Sequence, residues 1–198
     1  MEREELAEWI ARCRCAGRSI PPAARRALRG IYLEELFRAA PGCFSADSTA
    51  CLRALGALLQ CTCRRRGMVS VSAGAAPPVA LSARFLAEGL LACLFCLGPG
   101  AGSRVSLGCL GIGSDAVFRL EVTGAEKPPI LCRPGLERWA SERGGVLLWS
   151  IGSGRRGAIL RLPRAESSAG PVPDYSAWAF DRYSPLYSFA SALLWLPD

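Results

Sequence analysis

Residues 144–163, GGVLLWSIGSGRRGAILRLP, decide the fold of this chain. Two apolar runs flank a glycine-rich turn at residues 152–157, a pattern that predicts a β-hairpin. A glycine pair precedes the hairpin and Pro163 ends it. Alternation places the following side chains where the two strands can pack against each other across the ladder: Leu147, Trp149, Ile151, Leu160 and Leu162.

The composition of the whole chain is that of a globular domain. The chain has 198 residues, of which 51% are hydrophobic and 21% are charged, so it can bury a core. The net charge of +7 comes from 24 basic residues, of which only Lys127 is a lysine. The arginines are scattered apart from the run at residues 64–66. Because a nucleic-acid interface clusters its basic residues, no nucleic-acid partner is predicted.

The chain carries no pattern for export or for a membrane anchor. Met1 is followed by alternating acidic and basic residues instead of a basic and then an apolar segment. The longest apolar stretch, residues 89–97, is far shorter than the roughly 20 residues needed to cross a bilayer. The sequence therefore predicts a cytoplasmic protein without a membrane partner.

Two absences exclude whole classes of chemistry, because the chain has no histidine and no asparagine. Without histidine there is no Ser-His or Cys-His nucleophilic pair, no imidazole metal ligand and no phosphohistidine. The ten cysteines lie mostly in apolar runs, so they are predicted to be reduced and buried. Cys93 and Cys96 share an apolar helix face, and no two cysteine pairs have the loop spacing of a zinc site. No metal site is predicted.

Hydrophobic periodicity predicts alternating helices and strands. The predicted helices span residues 4–15, 23–40, 48–66, 81–97 and 136–145. The predicted strands span residues 68–74, 103–113, 116–122 and the two arms of the hairpin. Ser45 or Asp47 can cap the helix that follows. Alternation buries Val105, Leu107, Cys109, Phe118, Leu120 and Val122. This order predicts an α+β two-layer sandwich, a mixed β-sheet with helices packed on one face.

Three regions follow from this layout. Residues 1–42 form an N-terminal helical pair, residues 44–163 the sandwich, and residues 164–198 a linker and an aromatic-rich C-terminal tail. The helical pair is interpreted either as a dimerisation hairpin, which would make a homodimer, or as a unit packed onto the main domain. The tail either covers an exposed apolar face or docks a partner.

Residues 44–163 resemble the ATP-binding domain of sensor histidine kinases, the GHKL ATPase group. The likeness lies in the order of elements. An amphipathic helix at 48–66 and a strand at 68–73 precede a long helix, which stands in the place of the helix that carries the family's asparagine box. The chain then ends as the family does, with a helix, a glycine pair, a strand, a turn and a strand closing with Leu162-Pro163. The resemblance implies the histidine-kinase ATPase-like fold.

The resemblance also implies a degenerate nucleotide site. The family's long helix offers a base and, one turn later, an asparagine that binds Mg²⁺; these positions fall here on Ala92 and Cys96. Neither side chain supplies the hard oxygen that Mg²⁺ requires. The aspartate that binds the adenine amino group in the family falls on Thr123 or Gly124, where no carboxylate is present. No cofactor, metal or catalytic residue is therefore predicted.

The remaining family elements are reduced as well. The glycine-rich lid is shortened to residues 125–134, and its prolines remove backbone donors. The first 40 residues have no histidine to accept a phosphate. We therefore favour a catalytically inactive relative that scaffolds cytoplasmic two-component signalling and binds a kinase or response regulator. Two alternatives remain, a nucleotide-binding regulator without Mg²⁺-dependent catalysis that uses Arg133 or Lys127, and an unrelated α/β interaction domain.

Overall fold

A five-stranded mixed sheet organises the structure, which is a computed structural model. It describes residues 5–6, 8–9, 12–13, 21–38, 45–62, 69–100, 102–124, 132–152 and 154–166. The strands are β1 (Val69–Ala73), β2 (Arg104–Ile112), β3 (Asp115–Thr123), β4 (Val146–Ile151) and β5 (Arg155–Pro163). The helices are α1 (Pro22–Arg38), α2 (Ser48–Thr62), α3 (Ala83–Cys96) and α4 (Arg133–Ser141).

The strand order is β1-β2-β3-β5-β4, with β1 parallel to β2 and every other neighbouring pair antiparallel. The hairpin of β4 and β5 therefore joins the sheet through its second strand, which pairs with β3 along nine residues from Asp115↔Pro163 to Thr123↔Arg155. β4 forms one edge of the sheet and β1 the other. The predicted mixed sheet with helices is confirmed.

One face of the sheet packs against the helices and forms the core. The six alternating residues predicted on β2 and β3 are all buried. Leu147 of β4 pairs with Leu160 of β5, and both are buried, whereas Ile151 is 54% exposed because it ends its strand. α2 covers β1 and β2, α3 packs on β3, and α4 lies on β4 and β5. The core therefore lies between this sheet face and the three helices.

Local signals set most helix ends as predicted. Asp47 Oδ1 accepts a hydrogen bond from Ala50 N at 2.9 Å, which makes Asp47 the cap of α2. Ser82 Oγ likewise accepts from Phe85 N at the start of α3. The prediction for α4 was wrong at both ends, since the helix begins at Arg133 and not at residue 136 and ends at Ser141. Pro134 can stand in a first helical turn because its missing N–H would be unpaired there.

The N-terminal region packs onto the sandwich. Leu28, Tyr32 and Leu36 of α1 are buried in the same core as the sheet residues, and the Arg29 guanidinium lies over the Phe95 ring of α3 at 5.3 Å. Residues 5–6, 8–9 and 12–13 are helical. Packing onto the main domain is thus observed for α1, and dimerisation through these helices stays a prediction.

Parts of the predicted layout lie outside the described residues, namely residues 63–68, the short lid with Lys127, and the tail from residue 167. Within the described ranges, no helix is long and apolar enough to span a bilayer.

Candidate functional site

The predicted site lies where the end of α3, the end of β3 and the start of α4 meet. Ala92 and Cys96 are both fully buried on α3, and their spacing of four puts them on one helix face. Thr123 is exposed and follows buried Val122, so its side chain lies on the opposite face of the sheet from α3. The structure therefore brings Ala92 and Cys96 together and leaves the Thr123 side chain outside the group.

A disulfide joins two of the elements that surround the site. Cys96, the last residue of α3, is bonded to Cys132, which directly precedes α4, and their Cα atoms are 6.7 Å apart. The prediction that all cysteines are reduced was wrong for this pair. A 36-residue separation gives no local signal, because bonding depends on how the chain folds back. The sulfur of Cys96 is consequently no thiolate that could bind a metal.

The other cysteines with described side chains follow the prediction. Cys13, Cys51, Cys93 and Cys109 are free and buried. Burial raises the pKa of the Cys93 thiol to about 12, and burial together with the nearby Asp47 charge raises the pKa of Cys109 to about 12. The thiols of Cys93 and Cys109 are therefore neutral at physiological pH, and all four buried cysteines pack as small apolar side chains.

Backbone groups at the end of β3 are paired with the protein itself. Ser103 Oγ accepts a hydrogen bond from Gly100 N at 2.7 Å and donates one to Gly124 O at 2.8 Å. Gly124 has φ +74°, a left-handed conformation that glycine adopts without strain, and its N–H donates to Gly154 O at 2.6 Å. Gly124 thus connects two turns and presents no carboxylate.

The space between α3 and α4 holds an indole ring. Trp139 of α4 is buried against Gly89 of α3, where an added Cβ would lie 2.5 Å from the Trp139 Cη2 atom. Only glycine therefore permits this approach. The Arg143 guanidinium lies over the Trp139 ring, 4.8 Å from its centroid, and its Nη1 donates a hydrogen bond to Trp139 O at 2.7 Å. Burial lowers the pKa of Arg143.

A second arginine at this site has no hydrogen-bond partner among the described residues. Nε and Nη2 of Arg133 are buried and unpaired. Its guanidinium lies 5.0 Å from the Trp149 ring, while Trp149 Nε1 donates to Glu137 Oε1 at 2.8 Å. Arg133 is the first residue of α4, where the helix dipole favours an anion over a cation. The Arg133 guanidinium is therefore a cation that a bound anion could stabilise.

Sequence reasoning missed an ion pair on α3 whose carboxylate is buried and whose arginine is partly exposed. Glu88 is 2% exposed, and its carboxylate accepts a hydrogen bond from Arg84 Nε at 2.8 Å. Glu88 lies four residues before Ala92 and is the only acidic residue of α3. The signal in the sequence is the spacing of four between opposite charges inside an apolar helix. Because Arg84 pairs with this carboxylate, Glu88 is not a free base.

The ligand set for a metal ion is also missing from the described residues, in which no group of three or more Cys, Asp or Glu side chains could hold one. Two surface grooves lie elsewhere. One of about 440 Å³ is lined by Asp47, Arg53 and the segment after β1. The other, of about 370 Å³, lies between Arg119, Glu121 and Arg155 on the sheet. Neither is lined by Ala92 or Cys96.

Comparison with solved structures confirms the predicted histidine-kinase ATP-binding fold. The Acinetobacter baumannii histidine kinase AdeS matches 83% of this chain and 96% of its own with a TM-score of 0.50 at 11% identity. Full-length ShkA, crystallised in complex with AMPPNP, matches 76% of this chain and 39% of its own with a TM-score of 0.52 at 15% identity. The catalytic domain of histidine kinase ThkA matches 61% of this chain and 94% of its own with a TM-score of 0.47 at 12% identity.

No protein-family model and no curated protein sequence matches the chain significantly. At identities of 11–15%, the structural likeness establishes the fold and leaves the activity to be argued from the residues of this chain.

Proposed function

We propose that this chain is a catalytically inactive histidine-kinase-like protein that acts as a protein-binding or scaffolding module in signalling. The observation that supports this most strongly is at the end of α3. There, the positions that resemble the magnesium-binding helix of the family carry a methyl group at Ala92 and a disulfide sulfur at Cys96. Mg²⁺ requires oxygen ligands in near-octahedral geometry, and neither side chain provides one.

The packing around these positions supports the same conclusion. Trp139 closes the gap between α3 and α4, and the disulfide joins α3 to the residue before α4. Side chains of the protein thus fill the space between these two helices. A fold kept without its reactive groups serves recognition, and the signalling proteins that share this fold suggest a kinase or a response regulator as the partner. We extend the proposal to a cytoplasmic location.

Nucleotide binding by the full chain tests the proposal. The melting temperature is measured with increasing ATP, ADP and AMPPNP up to millimolar concentrations, with and without Mg²⁺, and an active histidine-kinase domain serves as the positive control. We expect an unchanged melting temperature, since a ligand stabilises only a protein that binds it. A melting temperature that rises with Mg²⁺-ATP concentration would overturn the proposal.

The unpaired guanidinium of Arg133 favours a second candidate, a regulator that binds a nucleotide without magnesium. Arg133 would pair with a phosphate at the start of α4, where the helix dipole adds to the attraction. This candidate predicts that ADP raises the melting temperature in the absence of Mg²⁺ and that Arg133→Ala abolishes the rise. Arg138→Ala, an exposed arginine of the same helix, is the matched control and should keep it.

A further inference from the structure

The sheet face opposite the helices carries an apolar surface that no described element covers. Five large side chains there are 41–59% exposed: Leu110, Ile112, Val146, Leu148 and Ile159. Val117 on β3 lies among them and is itself only 9% exposed. We call these six residues the outer patch. Their positions follow from strand alternation, since each lies an odd number of residues from the core-facing side chains of its strand.

The outer patch is continuous across four strands. Leu110 stands opposite Val117 in the register, and Ile159 stands opposite Leu148. Val117 and Val146 flank Arg161 from its two sides. With strands spaced about 4.8 Å apart, the patch is about 14 Å wide. Contiguous exposed apolar surface of this kind marks a binding surface more often than isolated exposed residues do.

Arginines within and beside the outer patch are already paired with carboxylates. Arg161 pairs with Asp115, and Arg119 and Arg155 both pair with Glu121. Two carboxylates thus compensate two of the three arginine charges on this face. Most of the arginine charge is therefore compensated, and the exposed apolar side chains are the main surface that this face offers to a partner.

An apolar segment of suitable length is present in the same chain. Residues 175–198 hold seven of the sixteen aromatic residues and three charged ones. The aromatic residues are Tyr175, Trp178, Phe180, Tyr183, Tyr187, Phe189 and Trp195. In addition, Phe189, Leu193 and Leu196 have the i, i+4, i+7 spacing of one helix face. Left in water, such a segment would expose much apolar surface.

The attachment point of this segment lies beside the outer patch. β5 ends at Pro163, which is paired with Asp115, and Asp115 is paired with Ile112 of the patch. Arg164 and Ala165 then bind the segment before α3, through a bridge to Val79 and an N–H bond to Pro78 O at 2.8 Å. Eight residues, 167–174, separate this point from Tyr175, and an extended chain of that length spans about 26–29 Å. The tether exceeds the width of the patch.

From these observations we propose that residues 175–198 bind the outer patch of their own chain. The segment and the surface are both apolar, the tether reaches, and attachment in one chain gives the segment a millimolar effective concentration at the patch. The outer patch is thereby an intrachain docking surface. This inference is independent of whether the chain binds nucleotides.

Photo-crosslinking of the full-length protein tests the proposal. Leu148 is replaced by p-benzoylphenylalanine, the protein is irradiated, and the crosslinked peptides are mapped by mass spectrometry. We expect crosslinks to residues 175–198 in a product with the mass of one chain. The same probe in place of exposed Arg138, on the helical layer, should give none to that segment. Ile159 is the second probe position in case the first variant fails to fold.

Two results would overturn the inference. One is a product with the mass of two chains, which would assign the outer patch to a second copy. The other is a folded protein in which neither probe crosslinks residues 175–198. A change in the segment completes the test. Leu193→Asp should reduce the crosslink yield several-fold, whereas Ser191→Asp, which lies outside the i, i+4, i+7 pattern of Phe189, Leu193 and Leu196, should leave it unchanged.

Discussion

The two faces of the sheet differ in how deeply their apolar side chains are buried. On the inner face, Phe118 and Leu160 are fully buried under three helices, and Ala92 and Cys96 are fully buried as well, the latter in a disulfide. On the outer face, Leu148 and its neighbours stay about half exposed. The strands that carry both faces are the same. The inner face thus supplies the packed core, whereas the outer face carries the exposed apolar side chains on which the proposed docking surface rests.

Among substitutions that compare the two faces, we expect Trp139→Ala to lower the free energy of unfolding most. Removing a buried tryptophan leaves a cavity between α3 and α4 and should lower the free energy of unfolding by about 3–5 kcal/mol. Urea denaturation followed by circular dichroism measures it. Leu148→Ala on the outer face is the control, and it should cost clearly less. Equal losses for both variants would mean that the outer face is covered as completely as the inner one.

Loss of the Cys96–Cys132 disulfide should have the next largest effect on the inner face. For a loop of 36 residues, the loop-entropy estimate gives about 3–4 kcal/mol of stabilisation. Reduction with a dithiol should therefore lower the melting temperature of the protein. The double variant Cys96→Ser with Cys132→Ser should melt lower from the start and show no further change on reduction. A melting temperature that reduction leaves unchanged would contradict a structural role of the bond.

The cap of α2 supports the inner layer with a smaller contribution. Asp47→Ala removes the acceptor for Ala50 N and should cost about 0.5–2 kcal/mol. Asp47→Ser keeps a capping oxygen and should restore most of the stability. Both values come from the same denaturation measurement. If the serine variant were as unstable as the alanine variant, the contribution of Asp47 would come from its charge and not from its cap.

The sequence predicts the sheet far better than the site. Alternation identified the buried faces of β2 and β3, and Asp47 was one of two candidates for the cap of α2, because these signals are local. The start of α4 at Arg133 was missed because Pro134 is usually taken as a break, although a first helical turn tolerates it. The helix position of Ala92 and Cys96 was predictable. The disulfide and the indole packing on this helix were not predictable, since they depend on Cys132 and Trp139, which lie more than 35 residues further along the chain.

Glu121 provides the smallest and most specific test, on the outer face. Its carboxylate accepts hydrogen bonds from Arg155 and Arg119. The hydrogen bond from Arg155 is the main cause that lowers the pKa of Glu121 below its usual 4.5; desolvation opposes the shift, and the two arginine charges add to it. Because the folded-state pKa is lowered, this carboxylate stabilises the fold above the unfolded pKa of about 4.3, and the contribution is lost as pH falls through the lower folded value.

Glu121→Gln should therefore flatten the decrease in stability between about pH 6 and pH 3, because the variant has no proton to take up at this position. Urea midpoints measured across that range give the comparison. Glu166→Gln, which changes an exposed carboxylate at the end of the described chain, should keep the wild-type slope. Parallel curves for the wild type and Glu121→Gln would show that the ion pairs of Glu121 with Arg119 and Arg155 do not contribute to folding.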